Sequence, residues 1–322
     1  MIQRRKFLGG ALGVALTLAT AGAAAQTGKP VRIIVPFAAG GVQDILARSM
    51  STELGMALGH TLIVENRPGA GGTVGTAMVA KAEPDGATMV MAAASHNIAG
   101  SLYSKLPYDP QKDFTALAHI GSAGYVLMIH PEVPAKNAAE FIRYAKANPG
   151  KLNYASAGNG SATHLSMAYF NGLAGIDLVH VPLKATGEAI NEVISGRAHA
   201  VIAANIGALA FARDSRIRLI GVTSARRSKY LPDIATIAES GLPGYEFDSW
   251  FGLLGPAGIQ PAEANRINAA MARLLKDPAI LERLDKQGIE PRAMSNPDFG
   301  RLLAADYERM ARVVKASGAR LD

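Results

Sequence analysis

Val35-Pro36-Phe37-Ala38-Ala39-Gly40-Gly41-Val42-Gln43-Asp44 is the stretch that decides how this chain folds. An apolar run from Val31 to Val35 leads in, and Leu46, Met50, Leu54 and Leu58 lead out at spacing four. The order is strand, glycine turn, helix. Pro36 cannot extend a strand ladder, so the strand ends there. Gly40 and Gly41 let the backbone turn tightly into the helix. The first amides of that helix lack intrahelical partners and sit at the positive end of its dipole, which makes the turn a place for an anion. A plain α/β turn with nothing bound accounts for the same residues.

Working outward, Thr61 to Glu65 reads as a second strand. Gly69, Gly71, Gly72 and Gly75 follow it, but Val74 stands where a dinucleotide fingerprint requires glycine, so this is a glycine-rich loop entering a helix over 73–82. Thr88 to Ala93 is a third buried strand, ending at Ser95-His96-Asn97. Ala116 to Ile120 and Tyr125 to Ile129 read as two further strands, and Ala138 to Ala147 as a helix. A second strand–glycine–helix unit then repeats the first: Leu152 to Ala155, the turn Ser156-Ala157-Gly158-Asn159-Gly160-Ser161, and a helix opened by Thr163-His164. Ser161 or Thr163 caps it. Strands at 177–181, 198–203 and 217–222 follow, with a helix at 188–194. Tyr245 to Leu254 reads as an extended crossing segment, then helices at 261–275 and 278–287, and a helical pair over 296–317. Alternating strands and helices argue for α/β architecture, with a glycine turn at a strand's carboxyl end in each of two lobes. Two facing helix starts make a clamp for a small anion, and a carboxylate is the obvious one.

Composition narrows the function. With 322 residues, two domains are expected, and 49% apolar residues suffice for full cores. No cysteine is present, which excludes disulfides, a thiolate nucleophile and cysteine-based metal sites. Arg4-Arg5-Lys6-Phe7-Leu8, an apolar stretch and Ala23-Ala24-Ala25 form a twin-arginine-like export signal with expected cleavage after Ala25, hence a periplasmic protein. Its loss takes the formal charge from +7 to +4, and the remaining Lys and Arg are scattered without interleaved aromatics. That is a solvated surface and no nucleic-acid footprint.

Further motifs carry a resemblance. They are Ile34-Val35-Pro36-Phe37 with Gly40-Gly41 and Asp44, Val64-Glu65-Asn66-Arg67-Pro68-Gly69-Ala70-Gly71-Gly72, Pro84-Asp85-Gly86, Leu106-Pro107-Tyr108-Asp109 and Lys112-Asp113-Phe114. Asn148-Pro149-Gly150-Lys151-Leu152, Ala155 to Ser161 with His164-Leu165, and His180-Val181-Pro182 complete the set. Together they resemble the Bug-type periplasmic solute-binding proteins of the tripartite tricarboxylate transporter family, over about 30–320. The resemblance implies a type II periplasmic binding protein, two α/β lobes joined by two crossing strands, with a small organic carboxylate in the cleft between them. It places lobe 1 at 26–125 and 247–322 and lobe 2 at 126–246. The turns at 37–44 and 156–164 become facing jaws, and backbone amides do much of the holding. Expected ligand contacts are Phe37, Ala38, Ala39, Gly40, Gly41, Gln43 and Asp44 in the first jaw and Ser95 and His96 after the third strand. Ser156, Gly158, Asn159, Gly160, Ser161 and His164 serve in the second jaw, with Lys184 and Asn205 beyond it. Expected partners are two integral membrane transporter subunits or a sensor kinase. No cofactor, metal or catalytic residue is expected.

This chain departs from the family pattern at Val42 and Gln43, at Asn97-Ile98-Ala99-Gly100, at Leu183 and Ala185, and at Ala204, which either alters the pocket towards lower polarity or is neutral drift outside it. Asp44 reads as a brace for its turn, and His164 as a brace more than a contact. The alternative function is an exported serine hydrolase using Ser161 and His164, although no G-x-S-x-G elbow surrounds Ser161. The seven histidines show no metal-ligand spacing. Trp250, the lone tryptophan, falls on the crossing segment.

Overall fold

The computed structural model describes residues 29–37, 39–183 and 186–317. The expected export signal, Ala38, Lys184 and Ala185 lie outside them. The first part runs β1 (Val31–Val35), α1 (Val42–Leu58), β2 (Leu62–Asn66), α2 (Thr73–Ala80), β3 (Thr88–Ala93) and α3 (Ser95–Leu102). β1 lies parallel between β2 and β3. All six residues of β3 are buried, as expected for a central strand covered on both faces. In α1 the spaced side chains Leu46, Met50, Leu54 and Leu58 are buried against β1 and β3, each contributing roughly 1.5–3 kcal/mol.

β4 (Phe114–Ile129) is one strand where the sequence pattern suggests two. Its first part pairs antiparallel with β9 (Asp248–Pro256), which also pairs with β3. From Tyr125 onward β4 pairs instead with β7 (Ala200–Ala204) and β8 (Arg218–Val222). The segment from Gly121 to Gly124 stays extended because β9 continues alongside it to the Gly124–Asp248 pair. Gly121 has no Cβ to collide with the carbonyl of Glu290 on β10 (Glu290–Pro291), which pairs with β4 there.

The second lobe adds α4 (Ala138–Ala147), β5 (Asn153–Ser156), α5 (Ala162–Ala174), β6 (Val179–Pro182), α6 (Thr186–Ile194) and α7 (Asn205–Leu209). β5 is parallel to β6 and β7. After β9 come α8 (Pro261–Leu274), α9 (Pro278–Asp285) and α10 (Asn296–Ser317). α10 is a single helix rather than the pair expected, since its apolar positions keep helical spacing throughout. Its start buries Phe299 beside Trp250 in the first lobe. Its end buries Met310, Val313 and Val314 with Phe141, Phe170 and Tyr245 in the second. The two lobes are thus joined by the β4–β9 region and spanned by α10.

Candidate functional site

The first jaw is set by one carboxylate. Gly40 has φ +84°, a conformation glycine adopts without strain, and Gly41 caps α1 without a side-chain hydrogen bond. The Gly40 N–H donates to Asp44 Oδ2 at 2.9 Å. Asp44 Oδ1 accepts from Arg48 Nε at 2.8 Å and Asn66 Nδ2 at 2.9 Å. Burial pushes this carboxyl upward, but the bonds from Gly40, Asn66 and Arg48 outweigh it and hold the group below the usual carboxylate range. Asp44 is therefore a charged brace inside the turn. Gln43, beside it, has a buried Nε2 with no hydrogen-bond partner.

The second jaw uses the same device with a neutral acceptor. The Gly160 N–H donates to His164 Nδ1 at 3.1 Å, again four residues on. Ser161 caps α5: its Oγ accepts the His164 N–H at 3.2 Å and donates to the Gly158 carbonyl at 2.7 Å. The Ala157 N–H donates to Thr163 Oγ1 at 2.8 Å. Ser156 is fully buried and bonds His180 Nε2 at 2.6 Å. The His164 and His180 rings stack at 4.2 Å, and His180 stacks on Tyr154 at 4.8 Å. Burial lowers both imidazoles, that of His180 to about 4 with help from His164, so the stack is neutral at pH 7. Ser161 meets His164 through the backbone amide, and the ring nitrogen facing the turn is taken by Gly160. The Ser–imidazole hydrogen bond that a hydrolase needs is not formed between these two residues.

Both jaws open on one cavity of about 510 Å³. It brings together six of the expected residues: Phe37, Gln43, Ser95, Asn159, Gly160 and Ser161. Ala39, Gly40, Gly41, Asp44, Ser156, Gly158 and His164 are not in its wall and belong to the turns behind it. His96 is held against the Pro110 carbonyl at 3.1 Å, beside Tyr108 and Phe114, and burial lowers its imidazole to about 4. Asn205 is buried away from the cavity and donates to Ser228 Oγ at 3.3 Å. Ala38 and Lys184 are outside the described residues. The sequence reading missed the α3 wall (Ile98, Ala99, Leu102, Tyr103) and the ribbon residues Tyr125, Phe247, Ser249 and Phe251. The four-residue spacing of Ile98 and Leu102 was the one signal for α3, obscured by Gly100 within it.

No Lys, Arg, His, Asp or Glu among the described residues lines this cavity. The features in its wall that favour an anion are helix starts. α1 and α3 begin at the cavity without side-chain caps, and α5 begins there at Ser161. Most of their first-turn amides lack intrahelical partners, though the Asn97 N–H bonds the Ala94 carbonyl and the His164 N–H bonds Ser161 Oγ.

Side chains alternate along β9, so Ser249 and Phe251 face this cavity while Asp248 and Trp250 face a second one of about 490 Å³ behind the ribbon. That rear cavity is charged. Arg309 bonds Glu246 at 2.8 Å and Asp306 at 2.7 Å. Asp306 also accepts from Trp250 Nε1 at 2.8 Å and Asn97 Nδ2 at 2.9 Å. Asp248 Oδ1 is buried with no hydrogen-bond partner. Burial, reinforced by Glu246, Glu290 and Asp306 and opposed by Arg309, pushes this carboxyl up to about 7.

Comparison with known proteins agrees with this geometry. BugT of Bordetella pertussis (strain Tohama I) is 31% identical over 321 residues, covering 96% of this chain and 97% of BugT. The periplasmic binding protein BugD shares 30% identity at TM-score 0.71, over 90% of this chain and 98% of that one. An R. palustris protein solved with adipate shares 31% identity at TM-score 0.74, over 91% of this chain and 98% of its own. The model of the tripartite tricarboxylate transporter family receptor matches residues 46–319. With one cavity between two α/β lobes, walled by helix starts, this chain belongs to the tripartite tricarboxylate transporter receptor family.

Proposed function

We propose that this protein captures a small organic carboxylate in the inter-lobe cavity, as an extracytoplasmic binding protein serving uptake or sensing. The observation that carries the reading is the meeting of three helix starts at one cavity with no charged side chain among the described residues of its wall. A helix start stabilises an anion by about 0.3–1 kcal/mol, rising to ~2 kcal/mol where it is partly buried. Taking a carboxylate out of water costs several kcal/mol, so several converging starts are needed to offset it. A related protein solved with adipate supports a carboxylate as the ligand class.

The reading includes export by the N-terminal signal with cleavage after Ala25. It also divides the lobes near residues 125/126 and 246/247, which the change of partners along β4 supports. Delivery is either to two integral membrane subunits or to a sensor kinase, and co-purification from membranes separates the two. The test is thermal unfolding of refolded, ligand-free mature protein against a panel of organic acids. A ligand that binds only the folded state raises stability by about 2.7 kcal/mol at a hundredfold excess over Kd. The melting temperature rises with concentration for at least one carboxylate. A flat response across mono-, di- and aromatic carboxylates rejects the function.

A further inference from the structure

We propose that the ligand of the inter-lobe cavity carries a single carboxylate on an apolar, ring-sized body, a preference that rests on the carboxylate-binding reading above. The polar groups of the cavity are unevenly spread. Gln43, Asn159, Gly160 and Ser161 belong to the two jaws, where the helix starts of α1 and α5 supply amides and positive potential. Ser95 stands alone at the start of α3. On the ribbon, the Tyr125 and Ser249 hydroxyls lie near each other.

The rest of the wall is apolar or aromatic. Ala93, Ile98 and Leu102 come from the β3–α3 corner, and Phe247 and Phe251 from the ribbon. Phe247 packs edge-on to Tyr125 at 5.5 Å, and the rings of Phe37 and Tyr103 complete an aromatic surround. Such a surround favours a flat ring by area burial and by stacking. A second carboxylate would enter with no cation among the described lining residues, in a wall that is mostly apolar or aromatic. A desolvated, unpartnered carboxylate opposes binding. The cavity's volume of about 510 Å³ is in the range of sites that enclose a small molecule on most sides.

Isothermal titration of the refolded mature protein at pH 7.5 tests this with benzoate and cyclohexanecarboxylate against succinate, malate and adipate, with benzamide as the uncharged ring. The expected result is that a ring monocarboxylate binds at least tenfold tighter than every dicarboxylate and at least tenfold tighter than benzamide. A smaller ratio, or a dicarboxylate that binds tighter, overturns the single-carboxylate assignment while leaving carboxylate capture intact. Binding by no carboxylate at all overturns capture itself. Ala99→Lys sets an ammonium group into the α3 wall, and with its melting confirmed as cooperative it shifts the ratio at least tenfold towards the dicarboxylates. An unchanged ratio in the folded variant overturns the argument from missing cations.

Discussion

The two faces of the β4–β9 ribbon enclose cavities of nearly equal size, about 510 and 490 Å³, with opposite chemistry. The front face presents Tyr125, Ser249 and Phe251 to a cavity without charged side chains among the described residues of its wall, beside helix starts and the unpartnered Gln43 Nε2. The rear face presents Asp248 and Trp250 to a cavity where Arg309 pairs with Glu246 and Asp306, although Arg309 Nε and Asp248 Oδ1 keep no hydrogen-bond partner. An unpaired neutral dipole costs less to bury than an unpaired charge, and it can attract an anion. Buried charges are expensive unless paired, and once paired they fix the elements that carry them. On the proposed function the front face binds, while the rear face holds α10 against the ribbon.

That division breaks most visibly at Arg309. Arg309→Met leaves Asp306, whose side chain is 2% exposed, without its guanidinium, and strips Glu246 of the same partner. Losing one member of a buried pair costs about 3–5 kcal/mol. Urea unfolding registers that loss, while the Kd of the folded variant for a carboxylate changes less than threefold. A loss below about 1 kcal/mol, or a cleft that no longer binds in a stable protein, breaks the division between holding and binding.

Asp248 sharpens it through pH. Its folded-state carboxyl is raised to about 7 from an ordinary value of 3.8. The folded protein therefore holds a proton that the unfolded chain has released between those values. The contribution is fully present below pH ~3.8 and is lost as pH rises through about 7. Glu246 on the approach to β9, Glu290 on β10 and Asp306 and Arg309 on α10 act on this carboxyl, and His119, Arg226, Arg292 and Arg312 line the same cavity. Between pH 5 and pH 8 the native protein loses on the order of 2 kcal/mol relative to Asp248→Asn, which has no proton to release. Parallel stability curves for the two proteins place this carboxyl in ordinary solvent. Trp250 lies in the rear cavity, so its emission reports that face and not direct contact with a ligand in the front one.

Much of this was legible in the sequence because the jaws are local. Pro36 ends a strand, Gly40 takes a left-handed turn, and the acceptor for its amide lies four residues on at Asp44. Gly160 and His164 repeat that geometry about 120 residues later, so the echo of motifs is also an echo of hydrogen bonds. Local pattern did not reveal that these acceptors stay behind the cavity, since the direction of a side chain in a turn is settled by its bonding partners. The front wall was illegible for a different reason. Tyr125, Phe247 and Phe251 meet only because β4 and β9 pair, over a separation of more than a hundred residues. α3 was hidden by weak helix formers, and Gly100 stays there because a Cβ would strike the Tyr307 ring on α10.

The smallest effect separates the two jaws themselves. Ser161 lines the cavity, yet its hydroxyl already serves the protein: it caps α5 through the His164 amide and donates to the Gly158 carbonyl. Gln43 lines the same cavity with its Nε2 committed to nothing. Ser161→Ala removes a helix cap and lowers stability by about 1 kcal/mol, with less than a tenfold loss of carboxylate affinity. Gln43→Leu is expected to do the reverse, leaving stability within about 0.5 kcal/mol and weakening the carboxylate by at least tenfold. Unfolding curves and titrations on the two variants give the full two-by-two comparison. A Ser161→Ala protein that keeps its stability and loses its ligand makes the serine the contact. In that case the second jaw, and not the first, contributes the uncommitted donor, and the rule that binding follows unpaired groups fails inside the cleft where it should hold best.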